Sequence, residues 1–131
     1  MNTEFLDVIP VIACADIAVT HDFLVDALGF ESAVLVDDGA GTVVHGEVRA
    51  GPRRIWLHQT TAEHGLLTPD ELGGSGGGNV ILVADVDAHF EGARAAGATI
   101  LSEPTDQDYG QREYGVTDPD GHPWWFGTPL G

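Results

Sequence analysis

The chain has 131 residues, the length of one ordinary domain, and 43% of them are hydrophobic, which is enough for a core. Twenty-one acidic and five basic residues give a formal net charge of −16, which argues against nucleic acid and anionic membrane surfaces, because both need clustered Lys and Arg. Such a field would concentrate a cationic ligand, although acidity can equally serve solubility alone.

Targeting and redox features are few. No apolar run approaches the roughly 20 residues of a membrane helix, and the opening "MNTEFLDVIP" carries no basic residue, so we expect a cytoplasmic protein rather than a secreted one. The single Cys14 lies in the apolar run "VIACA" and reads as a small buried residue rather than a nucleophile.

The first half predicts a β-α-β-β-β module. "VIPVIACA" predicts a strand, and "DIAVTHDFLVDALGF" predicts a helix that Asp16 caps and Gly29 closes. "ESAVLVD" predicts a second strand, and "TVVHGEVRA" and "RRIWLHQ" predict a hairpin joined at "GP".

The second half predicts the same order. "NVILVA" predicts a strand, "DVDAHFEGARAAG" a helix, and "ATILSEP", "REYGVTD" and "PWWFGT" three further strands, the last two joined at the turn "PDGH". A shift of 69 residues superposes the halves weakly: Asp16 falls on Asp85, Gly46 on Gly115 and Trp56 on Trp125. We therefore predict an α+β fold of two tandem β-α-β-β-β modules.

The predicted domain organisation is one domain, 1–131. It contains a first module at 1–60, a glycine-rich linker at 61–77 and a second module at 78–131. The stretch "GGSGGG" in the linker predicts a flexible connector, with disorder or mobility. It lacks the Lys and the helix start of a phosphate-binding loop.

The ending "YGQREYGVTDPDGHPWWFGTP" resembles the vicinal-oxygen-chelate superfamily, which contains glyoxalases, extradiol dioxygenases and bleomycin-resistance proteins. The "DP-D-G" turn before the final strand carries the resemblance, and the "AD" before each helix is a weaker sign. The resemblance implies curved mixed sheets that form half-open cups. Two cups would pair around a small-molecule cavity, within one chain or across a dimer.

The same resemblance places four metal ligands at Ile9, Trp56, Gly78 and Trp125. None of these residues can coordinate a divalent ion, which needs His, Glu or a similar lone-pair donor. We therefore expect no metal and no cofactor. A displaced site of His45, His58 and Glu47 is the less favoured alternative. His21 and His89 lie on helix segments and are expected to be solvated, and His122 reads as a polar turn residue.

The paired tryptophans point to the ligand site. In a strand, neighbouring side chains face opposite sides, so Trp124 should be buried while Trp125 faces the cup together with Trp56. Two indoles make rigid walls for a planar ligand and attract a cation, worth ~0.5–2 kcal/mol. The alternative is that both rings simply fill the cup as core.

Further candidate ligand-binding residues lie around the same strands. They are His45, His58, Tyr109, Arg112 and Tyr114. The shift of 69 places Tyr114 symmetrically with His45. Arg112 either anchors a ligand carboxylate or carbonyl, or pairs structurally with Glu113 or Asp118. Glu113 would be a general base only if it is desolvated.

Three functions follow from these residues. The first is a metal-independent binding protein that needs no catalysis. It would be a homodimer that sequesters a planar aromatic or cationic small molecule such as an antibiotic, for resistance or self-resistance. The second is a glyoxalase- or dioxygenase-type lyase or isomerase, with a metal at non-standard positions or without a cofactor. The third is a sensing or structural domain with a collapsed cavity.

Overall fold

The computed structural model describes residues 2–131 and confirms the α+β class. The elements within this range are β1 (Val11–Cys14), α1 (Ile17–Asp26), β2 (Glu31–Asp37), β3 (Val43–Ala50), β4 (Arg53–Gln59), α2 (Pro69–Leu72), β5 (Asn79–Leu82), α3 (Val86–Ala95), β6 (Thr99–Asp106), β7 (Gln111–Thr117) and β8 (Pro123–Pro129). The strands form two sheets of order β1-β4-β3-β2 and β5-β8-β7-β6. Each sheet has one parallel pair, β1 with β4 and β5 with β8, and is otherwise antiparallel, as a mixed sheet requires.

The long helix of each module begins at an aspartate and is followed by a glycine. The Asp16 carboxylate accepts the amide hydrogen of Ala18 at 3.0 Å, and Asp85 accepts that of Ala88 at 3.1 Å. Gly29 and Gly97 follow the helices with φ of 77° and 84°, which a side chain would disfavour. The predicted caps thus fix where each helix meets its sheet.

The core lies on the side of each sheet that its helix covers, called here the helix side. One cluster of buried residues joins the helix sides of both modules: Ile12, Cys14, Ile17, Leu24, Leu28, Phe30, Val48, Ile55, Leu57, Val86, Phe90, Ala93, Tyr114, Val116, Trp124 and Phe126. Phe30 packs 5.4 Å from Trp124 between ring centroids. The helix sides are therefore the faces through which the two modules contact each other.

The opposite side of each sheet, called here the cup face, is turned away from this contact. Ladder partners share a face, so the cup faces carry Val11, Val34, Val36, His45, Glu47, Trp56 and His58 in the first module, and Val80, Leu82, Ser102, Gln111, Glu113, Gly115 and Trp125 in the second. No hydrogen bond, ion pair or ring contact among residues 2–131 joins one cup face to the other. Within residues 2–131, the two cup faces are therefore not joined by direct polar or ring contacts.

The linker between the modules contains two short helical elements before its glycine-rich end. A 3₁₀ turn spans Ala62–His64, and α2 has a complete capping box between Thr68 and Glu71. The amide of Asp70 donates to the carbonyl of Asp120 at 3.1 Å, which ties α2 to the second module. Both elements precede the "GGSGGG" stretch, to which the expected flexibility applies, so that expectation stays a prediction.

Within the described chain, no helix has the length and apolar character needed to cross a bilayer.

Candidate functional site

Trp125 lies on the cup face of β8 between two buried neighbours. Trp124 and Phe126 are on the helix side and are almost fully buried, while Trp125 is half-buried. The alternation of a strand produces this arrangement, as the sequence predicts. The indole of Trp125 is therefore available to the open side of the second sheet.

Two glycines hold the indole of Trp125 close to the sheet. A Cβ at Gly115, the ladder partner of Trp125, would lie 3.1 Å from its Nε1, and a Cβ at Gly78 would lie 2.5 Å from its Cζ3. These atoms are at opposite ends of the indole, so the ring spans the surface from β7 to the start of β5. Any larger residue at either position would displace the ring. The indole thus covers the sheet between these two positions and stays half-buried.

Trp56 occupies the matching place in the first module. It is half-buried between buried Ile55 and Leu57 and lies opposite Glu47 and Val11 in the ladders. The His45 ring meets it edge-on at 5.7 Å between centroids, and His45 Nε2 and Glu47 Oε2 are 2.8 Å apart. The Nε1 of Trp56 is buried and has no hydrogen-bond acceptor among the described residues. This N–H group is therefore unpaired within residues 2–131 and is covered by its neighbours.

His58 and Tyr109 lie at the margins of the two cup faces. His58 is exposed, and its Nδ1 donates to the carbonyl of Gln59 at 2.7 Å. Tyr109, in the turn between β6 and β7, is also exposed, and its hydroxyl donates to Glu113. This hydrogen bond to Glu113 raises the pKa of Tyr109. Both predicted residues have access to a cup, but from its rim.

Arg112 and Tyr114 lie on the helix side, which corrects their predicted place near the cup. Arg112 donates to Asp87 of α3 at 2.9 Å and to Asp106 at 3.1 Å, so its partners are neither of the two expected carboxylates. Tyr114 is completely buried, and its hydroxyl lies 2.6 Å from Nδ1 of His89. Neither side chain reaches the cup face.

A one-residue offset between the modules explains the error over Tyr114. Gly115 opposes Trp125, whereas Glu47 opposes Trp56, so β3 and β7 correspond at a shift of 68 rather than 69. At that shift His45 corresponds to Glu113, not to Tyr114. A change of one residue moves a side chain to the other face of a strand. Glu113 is therefore the cup residue that the repeat conceals.

The side chains of His89 and His21 form hydrogen bonds within the protein, whereas the sequence led us to expect them in solvent. His21 is buried, and its Nε2 lies 2.7 Å from the hydroxyl of Ser32. His89 stacks on Phe126 and donates from Nε2 to the carbonyl of Leu28 at 2.7 Å. Burial lowers the pKa of His89. Burial raises the pKa of Cys14 to about 12, which suits a packed thiol and not a nucleophile.

The turn before β8 brings together three side chains that could each offer one ligand atom to a metal ion: Asp118, Asp120 and His122. The oxygens of Asp118 accept from the amides of Asp120 and His122 and from Nε1 of Trp124, at 2.9–3.0 Å. Those of Asp120 accept from the amide of Ala15 at 2.9 Å and from the hydroxyl of Thr20 at 2.5 Å. Every carboxylate oxygen is thus engaged in holding the turn and joining the modules.

Comparisons with known proteins agree with this fold. Residues 8–126 match the sequence profile of the Glyoxalase/Bleomycin resistance protein/Dioxygenase superfamily. The chain belongs to this superfamily. An uncharacterised protein of Mycobacterium bovis is 32% identical over 124 residues, which cover 92% of this chain and 82% of that protein.

Three solved structures illustrate the range of superfamily members that share this fold. TioX from Micromonospora sp. ML1 aligns with a TM-score of 0.77 and 28% identity, over 96% of this chain and all of TioX. TnmS3, an antibiotic binding protein from Streptomyces sp. CB03234, gives 0.72 and 20%, over 98% of both chains. A glyoxalase-related enzyme from Clostridium phytofermentans gives 0.74 and 18%, also over 98% of both.

The residues at the superfamily's metal positions do not fit a metal ion. No side chain at these four positions has a lone pair that could bind a metal; the residues are Ile9, Trp56, Gly78 and Trp125. The indole nitrogens of the two tryptophans act only as hydrogen-bond donors. The ring of Trp125 also occupies the space into which a side chain at position 78 would project. In the described residues, the displaced set does not assemble either, because His45 pairs with Glu47 while His58 bonds to the backbone.

Proposed function

We propose that this chain is a metal-independent binding protein for a planar aromatic or cationic small molecule, such as an antibiotic. The observation that supports the proposal is the half-buried indole of Trp125, which lies against Gly115 and Gly78 on the cup face of the second sheet. The resemblance to the superfamily places a metal ligand at this position in metal-dependent members. The accessible part of the indole is suited to stacking against a planar ligand.

The fold alone does not choose between binding and catalysis. TnmS3 and the glyoxalase-related enzyme share it at similar TM-scores and identities. The choice therefore rests on the residues in the cup. Antibiotic binding by TnmS3 shows that this fold can serve such a role, and the cup residues of the present chain, with two indoles and a poor metal-ligand set, favour the binding role.

The proposal includes a homodimer. In one chain the two cup faces point away from their mutual contact, and Val11, Val36, Val80 and Leu82 leave apolar surface on them. A cup from one chain and a cup from a second chain would cover this surface and enclose the ligand between Trp56 and Trp125. Pairing of first-module and second-module cups gives two sites per dimer.

The test measures ligand affinity by calorimetry in purified full-length protein and in Trp125→Ala and Trp56→Ala. A panel of aromatic antibiotics and planar heteroaromatic dyes is titrated. For any ligand that binds the unaltered protein, we expect each substitution to lower the affinity by about tenfold. The reason is the loss of one stacking face, which is worth ~1–2 kcal/mol.

Val19→Ala serves as the control, since Val19 is an exposed apolar residue on α1 and lies outside both cups. Its affinity should equal that of the unaltered chain. Unchanged affinity in both tryptophan variants would reject the site. A stoichiometric divalent metal in the purified protein would instead favour an enzyme.

A further inference from the structure

The second cup contains a nearly buried carboxylate beside Trp125. Glu113 lies on β7 two residues before Gly115, on the same face, and only 7% of its surface is exposed. Its ladder partner is Gly127, where a Cβ would come within 3.0 Å of Glu113 Cγ and 2.6 Å of Gln111 Oε1. The absence of a side chain at position 127 therefore lets both polar side chains lie over the sheet, on the same face as Trp125.

This carboxylate has no cationic partner among the described residues. Its hydrogen bond comes from the neutral hydroxyl of Tyr109. Gln111 Oε1, which lies beside it, is buried and accepts no hydrogen bond from residues 2–131. Burial of a carboxylate is costly unless charge or several donors compensate it. The second cup therefore holds acceptor capacity that the chain itself does not use.

The basic residues of the chain are committed elsewhere. All five are arginines, and each forms an ion pair outside the second cup: Arg49 with Glu31, Arg53 and Arg54 with Asp7, Arg94 with Glu91, and Arg112 with Asp87 and Asp106. Within residues 2–131, no arginine is therefore left to compensate the buried carboxylate, and a bound cation could do so. A net charge of −16 raises the local concentration of cations around such a site.

We infer that the ligand of the second cup is a cationic heteroaromatic molecule, whose ring stacks on Trp125 while a protonated nitrogen or N–H group donates to Glu113. This inference rests on the proposed function and narrows its ligand class. Glu113 selects the charge of the ligand, and Trp125 selects its flat shape. A neutral ring of the same size would gain the stacking contact and leave the carboxylate uncompensated.

The test compares two probes of one shape. 9-Aminoacridine is a cation at neutral to mildly alkaline pH, whereas acridine is neutral there. Both are titrated into full-length protein by calorimetry. We expect the unaltered protein to bind 9-aminoacridine at least tenfold more tightly. Glu113→Gln should remove most of that preference, because it leaves an oxygen for Tyr109 but no charge, and should change acridine affinity less than twofold.

Glu103→Gln is the matched control. It removes the same charge from an exposed residue of the neighbouring strand β6, close enough to α3 to act on Arg94. It should leave both affinities unchanged. Equal affinity for the two probes in the unaltered protein, or equal effects of the two Gln variants, would overturn the role of Glu113.

The proposed function fails in a different way. If Trp125→Ala leaves both probes bound as before, the stacking site itself is wrong. If the unaltered protein binds neither probe, both the site and its charge selectivity are overturned. Loss of acridine and 9-aminoacridine together in Trp125→Ala, with selective loss of 9-aminoacridine in Glu113→Gln, supports both.

Discussion

At the scale of single residues, the junction of the modules depends on His89 being neutral. Its Nε2 donates to the carbonyl of Leu28 in the first module, and its Nδ1 accepts from the hydroxyl of Tyr114 in the second. Both nitrogens are thus used in the one arrangement that an uncharged imidazole allows. If Nδ1 of His89 were protonated, it could no longer accept the hydrogen bond from the Tyr114 hydroxyl. His89 therefore links protonation to the stability of the module junction.

We predict that stability falls in mild acid because of His89. Burial holds its folded-state pKa below the ordinary value, so the unfolded chain binds the proton more tightly. Its contribution to the free energy of unfolding is complete above the unfolded pKa of about 6.5 and is lost as pH falls through the folded pKa, with a slope of at most ~1.4 kcal/mol per pH unit.

Urea unfolding of the unaltered chain and of His89→Gln, measured at a series of pH values from neutral to mildly acidic, checks this effect. The variant keeps a donor and an acceptor but does not titrate. Its free energy of unfolding should therefore fall less steeply than that of the unaltered protein. Parallel curves would show that His89 has no part in the acid sensitivity.

At the scale of elements, the sequence predicted the strands and long helices closely, because each is bounded by local chemistry. Aspartate caps, closing glycines and alternating strand residues act within a few positions and can be read directly. The relation between the modules was less accessible. Gly29 follows the capping Asp16 by thirteen residues, whereas Gly97 follows Asp85 by twelve. This difference of one residue is the sequence signal for the change from a shift of 69 to a shift of 68 between the modules. Because of that change, the side chain on the cup face is Glu113 and not Tyr114.

Ion pairing and face assignment could not be predicted in the same way. Arg112 forms an ion pair with Asp87 of α3, which is 25 residues away along the chain. Such contacts follow from the packing of the helix on the sheet. The fold and the orientation of the tryptophans were therefore accessible from the sequence, whereas the acceptor groups around Trp125 required the strand register.

The capping box of α2 gives a prediction at this scale. Thr68 Oγ1 accepts the amide hydrogen of Glu71 at 3.2 Å, and Glu71 Oε1 accepts that of Thr68 at 3.1 Å. Hydrogen bonds from Thr60 and Thr68 lower the pKa of Glu71. Thr68→Ala removes the cap from a short helix and should lower the free energy of unfolding by about 1 kcal/mol.

Thr68→Ser retains the hydroxyl and is the control for that substitution. Urea unfolding of both variants at neutral pH separates the cap from the buried methyl group of Thr68. Serine should recover most of the loss. Equal losses in the two variants would assign the effect to packing of the methyl group and not to the capping box.

At the scale of the whole molecule, charge and apolar surface act in opposite directions. Each chain carries −16, so two chains repel each other. The cup face of the second module nevertheless exposes Val80 and Leu82, each more than half accessible, beside the proposed ligand site. Burial of these side chains on a second copy has to exceed the repulsion. Association should therefore strengthen when salt screens the charge.

We predict a homodimer in solution that Leu82→Lys disrupts. Leu82 is 57% exposed in the single chain, so a lysine there has access to water in a monomer, but it would be desolvated in a paired cup. Sedimentation velocity should show a dimer whose dissociation constant falls as salt is raised. The variant should sediment as a monomer over the same concentration range and bind 9-aminoacridine more weakly.

Val19→Lys makes the same change at an apolar residue of α1 that is 52% exposed and lies outside both cup faces. It adds the same positive charge, so it separates an effect on the cup from an effect on net charge. It should remain dimeric. A Leu82→Lys protein that stays dimeric would place the dimer contact outside the cup faces. An unaltered chain that is monomeric at high salt would contradict the dimer itself. Trp56 and Trp125 would then lie in separate, open sites, each with only one stacking face for a ligand.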